Sequence, residues 1–280
     1  MYRKLKERVY EANMELFHRK LIVYTWGNVS EVDREKGVMA IKPSGVPYEE
    51  LKPEMMVIQS LETGEVLSEG YRPSTDAPTH LAIYRAFEEV GGMVHTHSTC
   101  ATAWAQAGLA IPCMGTTHAD YFHGEVPVTR FLTPEETEED YEGNTGKVII
   151  EAFKGKNPMH TPGVLANGHG PFTWGKDAAQ AVYHAVVLEE VARMAMWTLS
   201  LAPGAESLGC RAMTDAILAL SPGAKAIIMA PVVTGRKGEF TKLFADLAHE
   251  GFSRVRIDGA LASVRELSER VGSQIDLCGQ

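Results

Sequence analysis

Gly91-Gly92-Met93-Val94-His95-Thr96-His97-Ser98 is the stretch of this 280-residue sequence that decides the fold and points to a chemistry. Its apolar residues, followed by alternating histidines, predict a buried strand over residues 93–97, and a helix over about 99–107 comes next. Side chains two positions apart on a strand leave the same face, so the imidazoles of His95 and His97 can bind one cation.

A third candidate ligand, His169, lies in the glycine-flanked loop Asn167-Gly168-His169-Gly170-Pro171, where the backbone can approach closely. Two ligands at short spacing plus one distant ligand are typical of a catalytic zinc site with an open position. A single histidine more often fills a hydrogen-bonded niche, and we assign no role to the other histidines among the 10 in the chain. The paired spacing on an apolar strand favours the metal.

Three turns ahead of this strand carry glycines or hydroxyl groups: Trp26-Gly27-Asn28, Lys42-Pro43-Ser44-Gly45 and Pro73-Ser74-Thr75-Asp76. Hydroxyls and free N–H groups at turns and helix starts suit phosphate oxygens, and Lys42 can add a positive charge. Ordinary turn chemistry explains any one of them. Together they indicate a phosphorylated substrate, and the predicted contacts are Gly27, Asn28, Lys42, Ser44, Gly45, Ser74 and Thr75.

A polar cluster, Thr116-Thr117-His118-Ala119-Asp120-Tyr121, interrupts a more apolar region. Within it, Asp120 is a candidate acid–base group beside the metal. The alternative is an aspartate that only caps a helix or stabilises a turn, and this alternative stays open.

The composition limits the classes of function. A formal charge of −9 argues against a nucleic-acid or membrane-surface binder, so an anionic substrate needs a local positive site. The 4 cysteines are scattered without a C-x-x-C pair, which favours a reduced setting. The charged N-terminus does not resemble a secretory signal, and no apolar run reaches the length of a membrane-spanning helix. We therefore expect a cytoplasmic protein.

The periodicity predicts a layered α/β fold with a largely antiparallel central sheet flanked by helices. Helices are expected over about 2–18, 77–89 and 177–200, and Asp76 is the expected N-cap of the second. Short strands are expected at 21–25, 37–41 and 56–58, with a hairpin turn at Thr63-Gly64.

Pro203-Gly204 is the predicted domain boundary, which separates a domain of residues 1–203 from an appended segment of residues 204–280. The segment has a helix–strand–helix–strand pattern and is expected to form a small α/β appendage. Its helices are expected at about 210–220 and 239–250, and its strands at 224–233 and 253–258.

Taken together, these motifs resemble the class II aldolase/epimerase family from residue 1 to about 203. The resemblance is carried by Thr25-Trp26-Gly27-Asn28-Val29-Ser30, Ile41-Lys42-Pro43-Ser44-Gly45-Val46, Pro73-Ser74-Thr75-Asp76-Ala77-Pro78-Thr79-His80, Gly91 to Ser98, Gly115-Thr116-Thr117-His118-Ala119-Asp120-Tyr121 and His169-Gly170-Pro171-Phe172. It implies one Zn²⁺ per subunit on His95, His97 and His169, with Asp76 near or on the metal. It also implies substrate contacts from the turn residues Gly27, Asn28, Ser44, Gly45, Ser74 and Thr75, and proton transfer by Asp120.

The activity implied by the resemblance is epimerisation at C4 of a ketopentose 5-phosphate (L-ribulose 5-phosphate to D-xylulose 5-phosphate), in arabinose catabolism. The C3–C4 bond is cleaved, the aldehyde fragment rotates, and the bond re-forms on its other face. Aldolases of the family typically carry a glutamate at the position of Asp76, so the aspartate favours an epimerase. A class II sugar-phosphate aldolase remains the alternative. Family sites lie at subunit boundaries, which implies a homo-oligomer, by resemblance a tetramer.

The resemblance ends near residue 203. The family's C-terminus supplies a second proton carrier, a tyrosine that reaches a neighbouring subunit, but no tyrosine follows Tyr183 here. We expect epimerisation to be slower by roughly 10²–10⁴, while metal binding and aldol cleavage survive. Residues 208–260 instead resemble part of the UvrA family of excision-repair ATPases, without its nucleotide-binding motifs. A non-catalytic fusion protein that binds a partner therefore stays open as a second alternative.

Overall fold

The computed structural model describes residues 2–208, 254–257 and 260–263, and a six-stranded sheet lies at the centre of the first range. Its strands are β1 (Asn28–Asp33), β2 (Val38–Ile41), β3 (Val57–Ser60), β4 (Gly92–His95), β5 (Gly163–Ala166) and β6 (Gly170–Gly175). Their order is β3-β2-β1-β4-β6-β5, and every neighbouring pair is antiparallel. The layered α/β fold with an antiparallel central sheet is confirmed.

Helices cover both faces of the sheet. They are α1 (Arg3–His18), α2 (Ala77–Ala86), α3 (Thr99–Ala107), α4 (Thr116–Ala119), α5 (Pro134–Ala152) and α6 (Ala178–Leu201). Two short 3₁₀ helices, Tyr48–Glu50 and Pro53–Met55, lie between β2 and β3. Side chains of α1 and α6 form one buried cluster with the sheet, and side chains of α2 and α5 form another on the opposite face.

The packing of the strand β2 shows why its sequence is continuously apolar instead of alternating between apolar and polar residues. Val38 and Ala40 belong to the cluster under α1 and α6, whereas Met39 and Ile41 belong to the cluster under α2 and α5. All four are buried, because helices cover the strand on both sides. The expected strand at 37–41 is thereby confirmed.

The glycines that precede and open β4 lie against the chain that links β6 to α6. A Cβ atom added to Gly91 would overlap the carbonyl group of Lys176. One added to Gly92 would overlap the backbone between Asp177 and Ala178. Real Cβ atoms do not approach other atoms so closely, so only glycine permits this packing.

Two expectations about the elements around the site are wrong. Residues 21–25 form no strand, because Lys20 and Tyr24 adopt φ angles of 60° and 53°, and the chain turns between them. Strand β4 ends at His95 rather than at residue 97, because its partner β1 begins at Asn28, the residue paired with His95.

Asp76 occupies the N-cap position of α2, as expected, but its side chain makes no capping hydrogen bond. That helix also ends three residues early, at Ala86. The helices expected at 2–18, 99–107 and 177–200 are confirmed as α1, α3 and α6. Helix α5 was not expected, although its N-terminus carries a complete capping box between Thr133 and Glu136.

The chain divides into two compact units, Met1–Met213 and Thr214–Gln280. In the second unit, β7 (Arg254–Ile257) pairs with β8 (Ala260–Ser263) in antiparallel fashion, and β7 confirms the strand expected at 253–258. The other elements expected between 210 and 250 lie outside the described residues, and the boundary at Pro203-Gly204 stays a prediction. Within the described ranges, no helix has both the length and the hydropathy needed to cross a membrane.

Candidate active site

Three histidine rings come together at one end of the sheet. His95 is the last residue of β4, and His169 lies in the turn between β5 and β6. His97 lies between β4 and α3, and the buried carboxylate of Glu189 fixes the start of α3 by accepting N–H bonds from Cys100 and Ala101 at 2.9 and 3.0 Å. The strand end and a fixed helix start thus position the H-x-H pair, although His97 is not itself in the strand.

The geometry of the triad fits a single cation. Ring centroids are 4.9 Å apart for His95 and His97, 4.7 Å for His95 and His169, and 5.0 Å for His97 and His169. One nitrogen from each ring lies within 4.8 Å of the others. The three imidazoles predicted as ligands therefore do meet, and His95 packs flat on Phe172 at 4.2 Å.

Hydrogen bonds orient the rings for a metal. The Nδ1 atom of His95 lies 3.0 Å from the carbonyl oxygen of Pro171, which can only accept, so Nδ1 donates and Nε2 is the ring atom that faces the other imidazoles. The Nδ1 atom of His169 bonds to the hydroxyl of Tyr141 at 3.1 Å. Nε2 of His95 lies 3.2 Å from Nε2 of His97. Carbonyl and hydroxyl partners of this kind are the usual outer support of metal-binding histidines.

Two of the rings, those of His97 and His169, are held in the neutral form that binds metals. Burial, followed by the neighbouring His95, lowers the pKa of His97 to about 4. Burial and the neighbouring rings of the triad lower the pKa of His169 to about 3. Three imidazoles that converge on one point are a donor set of catalytic zinc sites, so the residues present fit the metal.

Asp76 lies beside the triad with 8% of its surface exposed. Its Oδ2 accepts from the Nδ2 atom of Asn28 at 2.5 Å and from the hydroxyl of Ser74 at 3.3 Å. Burial alone would raise the pKa of Asp76, but the nearby His95 and His80 and the bond from Asn28 together keep it below its usual value. A carboxylate is therefore present next to the triad, as the resemblance implies.

A cavity of about 490 Å³ opens over these groups. It is lined by Thr25, Trp26, Gly27, Asn28, Lys42, Pro43, Ser44, Gly45, Ser74, Thr75, Asp76, His95, His97, Tyr141, Glu142 and His169. All seven residues predicted to contact substrate belong to this lining, and so do the four predicted metal residues. The three turns are thus brought to one place by β1, β2 and the start of α2.

Lys42 is buried, and its charge already has partners. Its Nζ donates to the carbonyl oxygens of Val46 at 2.9 Å and Pro43 at 3.3 Å, and it lies 4.7 Å from the centre of the Tyr48 ring. Burial lowers the pKa of Lys42 to about 8. The side chain therefore supplies positive potential to the cavity from a fixed position.

Two lining residues, Tyr141 and Glu142, were not expected from the sequence. They belong to an acidic run on α5 that, taken locally, resembles a solvated helix face. In the structure α5 packs on α2, and the hydroxyl of Thr79 donates to the carbonyl oxygen of Glu142 at 2.6 Å. Burial, and then the charge of Asp76, raises the pKa of Glu142 to about 7.

Asp120 lies elsewhere. It is exposed at the C-terminal end of α4 and does not line the cavity of its own chain. The neighbouring Tyr121 instead bonds to Tyr183, hydroxyl to hydroxyl at 2.9 Å. The acid–base role of Asp120 stays a prediction, and it requires that Asp120 reach the cavity of another copy of the chain.

Comparison with known proteins shows which families the chain is similar to. Residues 7–196 match the family model described as "Class II Aldolase and Adducin N-terminal domain", and residues 210–275 match the "UvrA interaction domain". The L-ribulose-5-phosphate 4-epimerase UlaF of Salmonella paratyphi A is 57% identical over 201 residues, which cover 72% of this chain and 88% of the relative.

Solved structures share the fold. An L-fuculose 1-phosphate aldolase superposes with a TM-score of 0.64 at 24% identity, covering 75% of this chain and 93% of the other. The L-fuculose-1-phosphate aldolase of Thermus thermophilus gives a TM-score of 0.57 at 25% identity, covering 73% of this chain and 99% of the other. Because the family model matches residues 7–196, which are more than half of the chain, the chain belongs to the class II aldolase family.

Proposed function

We propose that this chain is a cytoplasmic, zinc-dependent 4-epimerase that converts L-ribulose 5-phosphate to D-xylulose 5-phosphate by retro-aldol cleavage and re-addition. The observation that carries the proposal is the convergence of three imidazoles and Asp76 in a cavity that is also lined by Ser44, Gly45, Ser74 and Thr75. The 57% identity to a 4-epimerase favours this reaction over other reactions of the family.

The triad would hold zinc on His95, His97 and His169, with Asp76 beside it. Bound zinc supplies Lewis-acid stabilisation of the negative charge that develops on the sugar oxygens when the C3–C4 bond breaks. Asn28 keeps the Asp76 carboxylate in place through its amide, and Tyr141 fixes the ring of His169. These contacts limit the reorganisation needed when substrate arrives.

The three turns would bind the phosphate group. Ser44 and Gly45 lie in one turn, Ser74 and Thr75 precede α2, and Gly27 with Asn28 completes the rim. Hydroxyls and N–H groups at such turns bind phosphate oxygens, and Lys42 adds positive potential from behind. A phosphate held here tethers the aldehyde fragment while it rotates.

Two proton carriers are needed, one for each face of the rotating aldehyde. Glu142 lines the cavity of its own chain, and its carboxyl is able to hold a proton near neutral pH because its pKa is raised. Asp120 can serve only from a neighbouring copy, which makes the proposed enzyme a homo-oligomer with shared sites. Because the tail lacks the family's tyrosine, we expect epimerisation slower by roughly 10²–10⁴ than with a complete set.

The test compares the full chain stripped of metal with the same chain reloaded with Zn²⁺. We expect bound zinc to approach one ion per chain and D-xylulose 5-phosphate to form from L-ribulose 5-phosphate only in the reloaded sample. His97→Ala should abolish the conversion and weaken zinc binding, whereas His18→Ala, at the exposed end of α1, should change neither. Conversion that is independent of metal, or an unchanged activity of His97→Ala, would contradict the proposal.

Two other functions have specific support. The first alternative is a sugar-phosphate aldolase, because the solved structure from Thermus thermophilus is an L-fuculose-1-phosphate aldolase. Free dihydroxyacetone and glycolaldehyde phosphate as the main products would favour this alternative. The match of residues 210–275 to the UvrA interaction domain favours an additional partner-binding role for the tail. Capture of a UvrB-like protein by the full chain, together with failure to bind zinc, would favour a partner-binding protein over an enzyme.

A further inference from the structure

Trp26 occupies an unusual position for a large aromatic residue. It lines the cavity, its ring lies 6.2 Å from that of His97, and yet 55% of its surface is exposed. Exposure of this size means that the indole does little for the hydrophobic core. A tryptophan that faces both solvent and a polar cavity is placed to cover a ligand.

The turn that carries Trp26 is fixed in position. The backbone N–H of Trp26 donates to the carbonyl oxygen of Val23 at 3.0 Å, and this bond closes a four-residue turn. Gly27 follows with a φ of +108°, and a Cβ there would lie 2.7 Å from the carbonyl oxygen of His95. Tyr48 donates its hydroxyl to the carbonyl oxygen of Gly27 at 3.1 Å. The backbone beside the indole is therefore anchored to the end of β4, where the triad begins.

The proposed reaction has a stage that needs such a cover. After the C3–C4 bond breaks, the ketone-derived and aldehyde fragments must both stay in the cavity while the aldehyde turns over. Water that reaches the carbanion formed at C3 protonates it, and the fragments then leave as dihydroxyacetone and glycolaldehyde phosphate. Exclusion of water from a reacting centre prevents side reactions of this kind.

We infer that Trp26 is a specificity-determining residue, whose indole covers the open side of the histidine triad and keeps the cleaved fragments together until the bond re-forms. The inference rests on the proposed retro-aldol function. Its consequence is that the size of this side chain sets how many turnovers end in epimer and how many end in free fragments.

The first experiment measures this partition for Trp26→Ala and Trp26→Phe in the zinc-loaded full chain. For Trp26→Ala we expect the ratio of glycolaldehyde phosphate to D-xylulose 5-phosphate to rise about tenfold, the scale of losing one aromatic contact. Trp26→Phe should lie between wild type and Trp26→Ala. The control is Tyr24→Ala, an aromatic in the same turn that is 84% exposed and does not line the cavity, and it should leave the ratio unchanged.

The second experiment does not depend on turnover. Glycolaldehyde phosphate is added to the zinc-loaded chain, and tryptophan fluorescence is compared between wild type and Trp26→Phe, which keeps the other tryptophans. We expect a concentration-dependent change in the wild type that is absent from Trp26→Phe.

The outcomes separate this inference from the proposed function. Epimer formation with an unchanged ratio in Trp26→Ala overturns the role of Trp26 and leaves the epimerase standing. No epimer and no fragments from the wild type overturns the proposed reaction. In that case, an identical fluorescence response in wild type and Trp26→Phe, or no response in either, overturns the covering role as well.

Discussion

The half-buried carboxyl of Glu142 allows a quantitative test of the cavity's electrostatics in metal-free protein. Burial and the neighbouring Asp76 raise its pKa from the usual 4.5 to about 7. Between these values the folded chain keeps a proton that the unfolded chain has lost. Stability should therefore fall as the pH rises from about 4.5 to about 7, and the penalty should be complete above that range.

The magnitude follows from the two pKa values. Each tenfold change in proton affinity is worth about 1.4 kcal/mol, which sets an upper limit of about 3 kcal/mol. Glu142 is partly exposed, and screening by solvent reduces this to roughly 1–2 kcal/mol. Glu142→Gln removes the ionisation, so relative to wild type it should gain that amount between about pH 5 and about pH 8.

The assay is urea unfolding of the metal-free full chain, followed by tryptophan fluorescence. All 4 tryptophans (Trp26, Trp104, Trp174 and Trp197) precede residue 208, so the signal reports on this part of the chain alone. Glu139→Gln, an exposed position just before the kink of α5 at Asp140, controls for the loss of one negative charge. If the stability of Glu142→Gln and that of wild type run parallel over this pH range, the reasoning about Glu142 is refuted.

Three further predictions concern the triad, the oligomer and the sheet. His97→Ala should lower zinc affinity by at least about 100-fold in a competition titration with a chelator, because it removes one of the three protein ligands of an open zinc site. Asp120→Asn and His97→Ala should each be inactive alone but regain activity when their subunits are mixed and reassembled, and no recovery would argue against shared sites. Gly92→Ala should destabilise the chain by about 3 kcal/mol or more, measured by the same urea assay, because its Cβ would overlap the backbone at Asp177.

Local periodicity was sufficient for the elements whose burial is regular. The amphipathic spacing of α1 and the apolar run of β2 each predict the correct element. The apolar run at 21–25 gave a wrong prediction of a strand. Leu21 and Ile22 are buried in the core, but the chain turns there and does not pair with a neighbouring strand. Burial makes a segment apolar whether or not it pairs, so the sequence could not distinguish the two cases.

The candidate site was predictable where it depended on residue type and short spacing. The H-x-H pair, the glycine-flanked His169 and the hydroxyl-rich turns all reach one cavity. Tyr141 and Glu142 could not be foreseen, because their place in the lining comes from the packing of α5 on α2, which brings together residues such as Thr79 and Glu142 that are far apart in the chain. Asp120 shows the converse limit, since it does not line the cavity of its own chain, and its predicted role would require the cavity of another copy.

The paired glycines before the histidines have a consequence for variation in the family's chemistry. Because Gly91 and Gly92 are pinned against Lys176 and Asp177, β4 cannot slide along its neighbours. A slip of one residue would turn every side chain of that strand to the opposite side of the sheet and carry the imidazole of His95 into the packing. Insertions and deletions between Gly92 and His95 should therefore be absent from functional homologues. The two residues without side chains fix the place at which the imidazoles meet.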